Sequence, residues 1–370
     1  MKKFLLSFSV AVFALLAEGG LTSCYAIHPL VYFGDTLEWN TDWVKRQCGT
    51  LVTASTLPEI SGIACSRVTP GYIWMESDDY RNVIAADENG DKRYLKISFT
   101  GLPSRWDWED MCGGVYNDTN YLFVGAFGDN NETEGNYYII YFQEPEIVSS
   151  VTTQTIKASY IHFSYPEGKK HNCEAMMYDN REQMLYIITK VYYDVCQVFS
   201  LPFRLDYGEE EQTLTYVCDL GVKSDLGSGS KPDKGFHLVT AADISPDGKY
   251  ILIKNQNNTN STYCWVLLWE RLDGESVAET LIRERHPAPL RCYNVPEWQG
   301  EAICWLDSTT FYTTSDEDEG NPPIFKFTKK APQGILTPDD NRPATTKVLR
   351  DGQVFILRND RTYTLLGQSL

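Results

Sequence analysis

Five short stretches of this chain begin and end alike: EISGIACS (59–66), DWEDMCGG (107–114), NCEAMMYD (172–179), TAADISPD (240–247) and QGEAICWLD (299–307). Each starts polar or acidic, passes through small or apolar residues and reaches a turn rich in Gly, Asp, Asn or Pro. Each is followed by a strongly apolar run: GYIWMES, NYLFVGAFGDN, QMLYIITK, KYILIKN and TTFYTTSDE. A unit that recurs cannot bury its apolar surface alone and stacks on its neighbours, so this repetition constrains the fold more than any composition value. Two further strand-like runs complete most units, as in NVIAADENGDKRYLKISF after the first and NYYIIYFQEP with TIKASYIHFSY after the second. Four strands per unit is the make-up of a propeller blade. The units start 48, 65, 68 and 59 residues apart, longer than the roughly 40–50 of common propeller repeats, which leaves room for long loops.

The fifth unit shows only three strands before APQGILTPDDNRPATT, a Pro, Asp and Thr stretch that reads as a linker over 331–345. The strand-like CGTLVTAS (48–55) directly precedes the first unit and is the candidate fourth strand that closes the ring. The expectation is an all-β chain with a five-bladed β-propeller over 48–330, six blades being the alternative if 25–43 or a long unit hides another sheet. Aromatics at 13%, with 23 tyrosines and 9 tryptophans, suit many short strands. The segment TKVLRDGQVFILRNDRTYTLLGQ alternates around Asp-Gly and Asn-Asp turns and predicts a small three-stranded meander in a tail over 346–370. That tail resembles the short terminal tails of many exported Bacteroidetes proteins.

The first residues, MKKFLLSFSVAVFALLAEGGLTSC, pair Lys2 and Lys3 with an apolar run from Phe4 to Leu16 that is too short to span a bilayer, and read as an export signal. Leu21-Thr22-Ser23-Cys24 resembles the bacterial lipobox. That resemblance implies cleavage after residue 23, a lipid on Cys24, an anchor segment over 24–47 and an address at the outer membrane or cell surface, with the lipid as the sole membrane contact. A net charge of −17, from 33 basic against 50 acidic residues, argues against nucleic acid as a partner. Nine further cysteines (48, 65, 112, 173, 196, 218, 264, 292, 304) show no C-x-x-C pair. Most read as buried, inert thiols.

Aligning the five first lines puts Ser61, Glu109, Glu174, Ala242 and Glu301 at one position and Glu59, Asp107, Asn172, Thr240 and Gln299 two residues earlier. With a period of two, both sets share one side of the innermost strand and ring the mouth of the central channel. The returning second strand brings Asp78 and Asp79, Asp129 and Asn130, Lys190, Asn255 and Asn257, and Asp316 and Glu317 to the same face. Converging glutamates raise one another's pKa unless a cation or basic group sits among them. Three readings follow: a bound hard cation, Ca²⁺ before Mg²⁺ or Mn²⁺, with Glu109, Glu174, Glu301 and Asp129 as oxygen ligands; a polar channel of hydrogen-bonded acids; or a catalytic carboxylate pair drawn from Glu109, Glu174 and Glu301. Lys190 is a candidate for part of the neutralisation. Glu59, Asp107, Asn172, Lys190, Asn255 and Asp316 are the candidate ligand-binding groups. His171, beside Cys173 and Glu174, is the one histidine placed to act as a base, although an exposed turn histidine is the plainer reading.

The series EISGIACS, WDWEDMCGG, GAFGDNN, FQEPEI, CEAMMYD, LYIITK, ADISPDGKYILIKN and GEAICWLD, over residues 55–328, resembles a group of bacterial secreted propellers related to the esterase-like phytase and SdiA-regulated propellers. The chain departs from the group where Gly125-Ala126-Phe127-Gly128-Asp129-Asn130 loses an acid from a G-D-I-G-D-N pattern, and where Glu76-Ser77-Asp78-Asp79 stands for N-D-S-G. No G-x-S-x-G elbow, H-E-x-x-H helix or phosphate-cradling loop occurs. The loop GVKSDLGSGSKPDKG (221–235) precedes a first strand and is a candidate lid. The expected function is a lipid-anchored monomer that binds a small molecule, glycan or envelope protein on its channel face, with or without calcium. A metal-dependent hydrolase of phosphate esters or lactones and a structural surface protein are the alternatives.

Overall fold

The computed structural model describes residues 43–50, 59–78, 80–88, 93–104, 107–192, 194–220, 238–256, 264–283, 288–291, 297, 299–315, 322–330, 345–350, 353–358 and 361–364. Cys24, the export signal, most of the anchor segment, the loop 221–235, Asp316 and the predicted linker through 344 lie outside them.

The repeat becomes five sheets, each built on antiparallel hairpins. Strand β1 (Trp43–Thr50) comes first in the chain, and the first blade follows as β2 (Ile60–Cys65), β3 (Tyr72–Ser77), β4 (Tyr80–Asp87) and β5 (Arg93–Thr100). The second blade holds β6 (Trp108–Tyr116), β7 (Thr119–Ala126) and β8 (Tyr137–Gln143), after which come β9 (Thr153–Lys157) and β10 (Ser159–Ser164). The third has β11 (Cys173–Asp179), β12 (Met184–Thr189), β13 (Gln197–Pro202), the two-residue β14 (Gln212–Thr213) and β15 (Thr215–Asp219). The fourth has β16 (Val239–Ile244), β17 (Tyr250–Gln256), β18 (Cys264–Glu270), one short helix α1 (Val277–Arg283) and β19 (Ala288–Arg291). The fifth has β20 (Ala302–Asp307), β21 (Thr310–Thr314) and β22 (Pro323–Lys329).

The ring closes through β1, which pairs antiparallel with β22 and supplies the fifth blade's outer strand. The closing strand starts at Trp43 instead of Cys48, so the sheet takes its partner from earlier in the chain than the apolar pattern indicates. The innermost strands β2, β6, β11, β16 and β20 adjoin one another in that order, and β20 returns to β2. Five blades are therefore present. The run TIKASYIHFSY is shared between two sheets: β9 pairs in parallel with β5 of the first blade, and β10 pairs with β8 of the second. The little strand β14 repeats the device by adding in parallel to β10. Each addition covers an edge with chain from the next unit, which blunts the pairing hazard of an open edge. The tail forms a separate meander of β23 (Thr345–Arg350), β24 (Gln353–Arg358) and β25 (Arg361–Thr364).

The core consists of five seams, one between each pair of neighbouring blades. A blade is covered on both faces, which explains runs such as Leu122-Phe123-Val124 that are buried without alternation. Trp108, fully buried, wedges between the second blade and Val83, Leu95 and Phe99 of the first. Phe123 stacks on Tyr178 across the second seam at 4.9 Å between ring centroids.

Candidate functional site

The acids at the channel mouth owe their orientation to a bulge. In the first four blades the register of the innermost hairpin slips between Ile60 and Gly62, Trp108 and Asp110, Cys173 and Ala175, and Val239 and Ala241. The bulged residues are Ser61, Glu109, Glu174 and Thr240, and Glu301 occupies the same place ahead of Ala302. A bulge re-aims its extra side chain, and here it turns these residues together. The fourth blade therefore contributes Thr240, not Ala242, to the ring. Glu59, Leu238 and Gln299 mark the position two residues earlier, each with left-handed φ (53°, 50° and 43°). A strict period of two across this point is broken by the bulge, so Glu59 stands half-buried just ahead of its strand and not in line with Ser61.

Glu109, Glu174, Glu301, Asp107 and Lys190 interact as one group. The Lys190 ammonium pairs with Glu174 Oε2, with the side chains only 9% and 7% exposed. Burial draws the Lys190 pKa down, but Glu174, Glu301 and Glu109 outweigh it and the net shift is upward. Asn172 donates to Glu174 Oε1 at 3.3 Å and to Asn130 Oδ1 at 3.1 Å. Gln256 donates to Glu301 Oε1. Lys190 and Gln256 hold equivalent places, since their amides bond Asn172 O and Leu238 O at the same step of the inner hairpin. Sequence reasoning names the neighbours Asn255 and Asn257 and misses Gln256, whose signal is visible only once the fourth blade's register is shifted by two. Asn255 itself lies in β17 opposite Val239 and is buried.

Glu109 is the exception within the group. It is buried to 6% exposure, its carboxyl makes no hydrogen bond among the described residues, and it faces Gly128, where an added Cβ would lie 1.8 Å from its Oε1 and 2.6 Å from Asp107 Oδ2. Burial first, then Glu174 and Asp107, push its pKa well above the ordinary glutamate value, and Lys190 only partly offsets them. This raised carboxyl stands beside Glu174, which the Lys190 ammonium holds. The mouth thus sets two residues of the same type in different environments, one with its pKa raised by burial and one paired with an ammonium.

Two expected site residues have other employment. Asp129 accepts the amides of Thr133 and Glu134 and the Tyr137 hydroxyl, the last at 2.7 Å, and so folds its own loop. His171 packs edge-on against Tyr165 at 4.8 Å between centroids and beside Phe199, and its charged neighbours are Glu132 and Lys169, not the channel acids. Burial holds its pKa below the usual histidine value. Among the described residues no three His, Cys, Asp or Glu side chains stand at metal-ligand spacing.

Below the mouth, Asp110 lies fully buried and ties three blades. Its Oδ1 accepts Met111 N–H at 2.8 Å, and its Oδ2 accepts Met176 N–H at 2.7 Å and Ala242 N–H at 3.3 Å. Asp243 does the same for the fourth and fifth blades through Trp305 N–H at 2.7 Å. Glu76 is also fully buried, and burial, then Asp78, push its pKa well up, with only the Gly62 backbone drawing it back. Gly62 permits this crowding, since a Cβ there would fall 2.2 Å from Met111 N and 2.7 Å from Glu76 Oε1. Farther out, Lys254 and Glu297 form a wholly buried pair at 2.7 Å, with Lys254 also donating to Thr314 O at 2.7 Å. Such a pair is strongly held only because its remaining hydrogen bonds are made.

The fold and mouth define a five-bladed β-propeller with an acid-lined channel face around one lysine. No protein-family profile matches the chain, and no curated protein matches it. Solved structures similar to it include the PQQ-bound aldose sugar dehydrogenase of Streptomyces coelicolor (8% identity over 77% of this chain and 98% of that one, TM-score 0.39). A protein of unknown function from Bacteroides thetaiotaomicron is 10% identical over 77% and 76%, with TM-score 0.40. The periplasmic gluconolactonase of Pseudomonas aeruginosa is 13% identical over 78% and 76%, with TM-score 0.33. At these identities the likeness concerns architecture and says nothing of the residues at the mouth.

Proposed function

We propose that the channel mouth binds a small, neutral, hydroxyl-rich ligand. The carrying observation is Glu109, a channel-facing carboxyl that makes no hydrogen bond among the described residues, has its pKa pushed well up by burial and by its acidic neighbours, and adjoins the lysine-held Glu174. Asn172, Gln256 and Glu301 add amide and carboxylate groups nearby. A hydroxyl both donates and accepts, so it suits this mixture. A dense anion meets Glu174, Glu301 and Asp107, and a hard cation meets the Lys190 ammonium. In this reading Lys190 takes the neutralising role that calcium would otherwise fill. The same two glutamates, one raised in pKa by burial and one paired with lysine, support a second reading, acid–base hydrolysis of such a ligand with Glu109 as the acid. Tethering through Cys24 at the outer membrane or cell surface, and kinship with the esterase-like phytase and SdiA-regulated propellers, belong to the same proposal and rest on the sequence motifs.

The test is calorimetric titration of the mature chain with a panel of neutral mono- and disaccharides and polyols, with calcium chloride and a chelator as separate arms. Saturable binding of a neutral polyol that is lost in Glu109→Ala is expected. Equal affinity in wild type and Glu109→Ala, or binding of calcium alone that Glu174→Gln abolishes, removes the proposal.

A further inference from the structure

We propose that Cys65 and Cys304 form a disulfide cross-link that staples the first blade to the fifth when the folding chain meets a disulfide oxidant. The two Sγ atoms lie 3.4 Å apart although the residues are 239 positions apart in the chain. Reaching the roughly 2.05 Å of a sulfur–sulfur bond requires an approach of about 1.4 Å. Cys65 ends β2 and Cys304 lies within β20, the innermost strands of the two blades that close the ring.

That seam is where a staple has most to hold. Its core is Ile60, Ile63, Ile73, Met75, Ile84, Ala86, Ala302 and Ile324 with the single aromatic Tyr312 and the two cysteines, whereas the seam between the second and third blades is built on tyrosines and phenylalanines. Polar ties already cross it: Arg67 donates to Trp305 O at 3.0 Å and Leu306 O at 2.6 Å, and Tyr312 donates to Glu88. All of these are non-covalent, as is the β1 closure.

The chemistry is thiol–disulfide exchange with a small disulfide RSSR. One thiolate attacks RSSR and expels RS⁻, leaving a mixed disulfide. The second thiolate displaces the remaining RS⁻, and the products are the Cys65–Cys304 bond and two RSH, which carry off the two thiol protons. In the closed ring both thiols are buried, and burial, then the neighbouring Cys65 thiol, hold the Cys304 pKa well up. Exchange therefore belongs to the stage before the fifth blade seals on the first. The loop so closed encompasses nearly the whole propeller, and the restriction placed on the unfolded chain grows with loop length.

The test is a peptide map of the full chain, made either by export to an oxidising compartment or by refolding the reduced chain in reduced and oxidised glutathione. The protein is acid-quenched, denatured, alkylated without reductant, digested and weighed. A linked pair of peptides carrying Cys65 and Cys304 is expected, absent in Cys304→Ala, with a melting temperature that reductant lowers in wild type and leaves unchanged in the variant. Full alkylation of both thiols, or a link from either to a different cysteine, overturns the proposal. The wild-type map decides even if the variant does not fold, and no outcome depends on what the channel mouth binds.

Discussion

Replacing Lys190 by methionine removes the ammonium that sits among Glu109, Glu174 and Glu301 while keeping most of the side chain's volume. The Lys190 and Glu174 side chains are 9% and 7% exposed, so this counts as breaking a buried pair, which costs about 3–5 kcal/mol when one charge is left behind. The unfolding entropy is roughly 2.1 cal/mol/K per residue. Summed over the propeller from 43 to 329, it converts that loss to a fall in melting temperature of about 5–8 °C. The cost must also depend on pH. Without the lysine, nothing offsets the effect of Glu174, Asp107 and Glu301 on Glu109, whose folded pKa rises further, so the folded protein binds more protons than the unfolded chain above the ordinary glutamate value. Stability then falls as pH rises through the interval between the two. Thermal unfolding followed by circular dichroism at about pH 5 and about pH 8 is the assay. The expected result is a small loss at the lower pH, the full loss at the higher, and partial recovery in Lys190→Met with Glu174→Gln. A loss equal at both pH values, or a shift within about 1 °C at the higher, would show that Lys190 is not what holds these acids together.

Three further substitutions probe neighbouring parts of the account. Glu109→Gln removes a carboxyl whose folded pKa is raised, so wild type should lose stability between about pH 5 and about pH 8 more steeply than the variant in the same unfolding series. Gly128→Ala places a methyl group on the Glu109 carboxyl, and because that carboxyl is the end of a movable side chain, stability should change by less than about 1 kcal/mol while polyol binding in calorimetry falls sharply. Asp110→Asn cannot serve amides from three blades with one oxygen and should cost about 1.5–3 kcal/mol in chemical denaturation.

Much of this architecture is legible in the sequence because each blade repeats the same local physics. The EISGIACS and DWEDMCGG type of line names the inner strand, and the apolar run after it names the second. Borrowed strands are less legible. TIKASYIHFSY reads as one strand of the second blade, yet its two halves serve different sheets, since which edge a short strand covers depends on where that edge lies in space. The bulge is equally hidden: it moves the fourth blade's contribution from Ala242 to Thr240 and breaks the alternation that links Glu59 to Ser61. Of the mouth, Glu109, Glu174, Glu301 and Lys190 are readable from aligned positions. Asp110 turns out to tie blades across the axis, because amides contributed by Met176 and Ala242 leave no mark in the residue pattern. The Lys254–Glu297 pair joins the end of one blade's strand to a loop 43 positions later, a distance over which charge patterning carries no signal.

The central claim is that Glu109 stands in the channel mouth as a buried carboxyl whose pKa is raised by burial and by neighbouring acids, beside a lysine-held Glu174. Carbon-13 NMR titration of glutamate side-chain carboxyls, with the Glu109 signal assigned from its absence in Glu109→Gln, measures this directly. The account predicts a Glu109 midpoint well above the ordinary glutamate value, one that rises further in Lys190→Met. A midpoint at or below the ordinary value would contradict it.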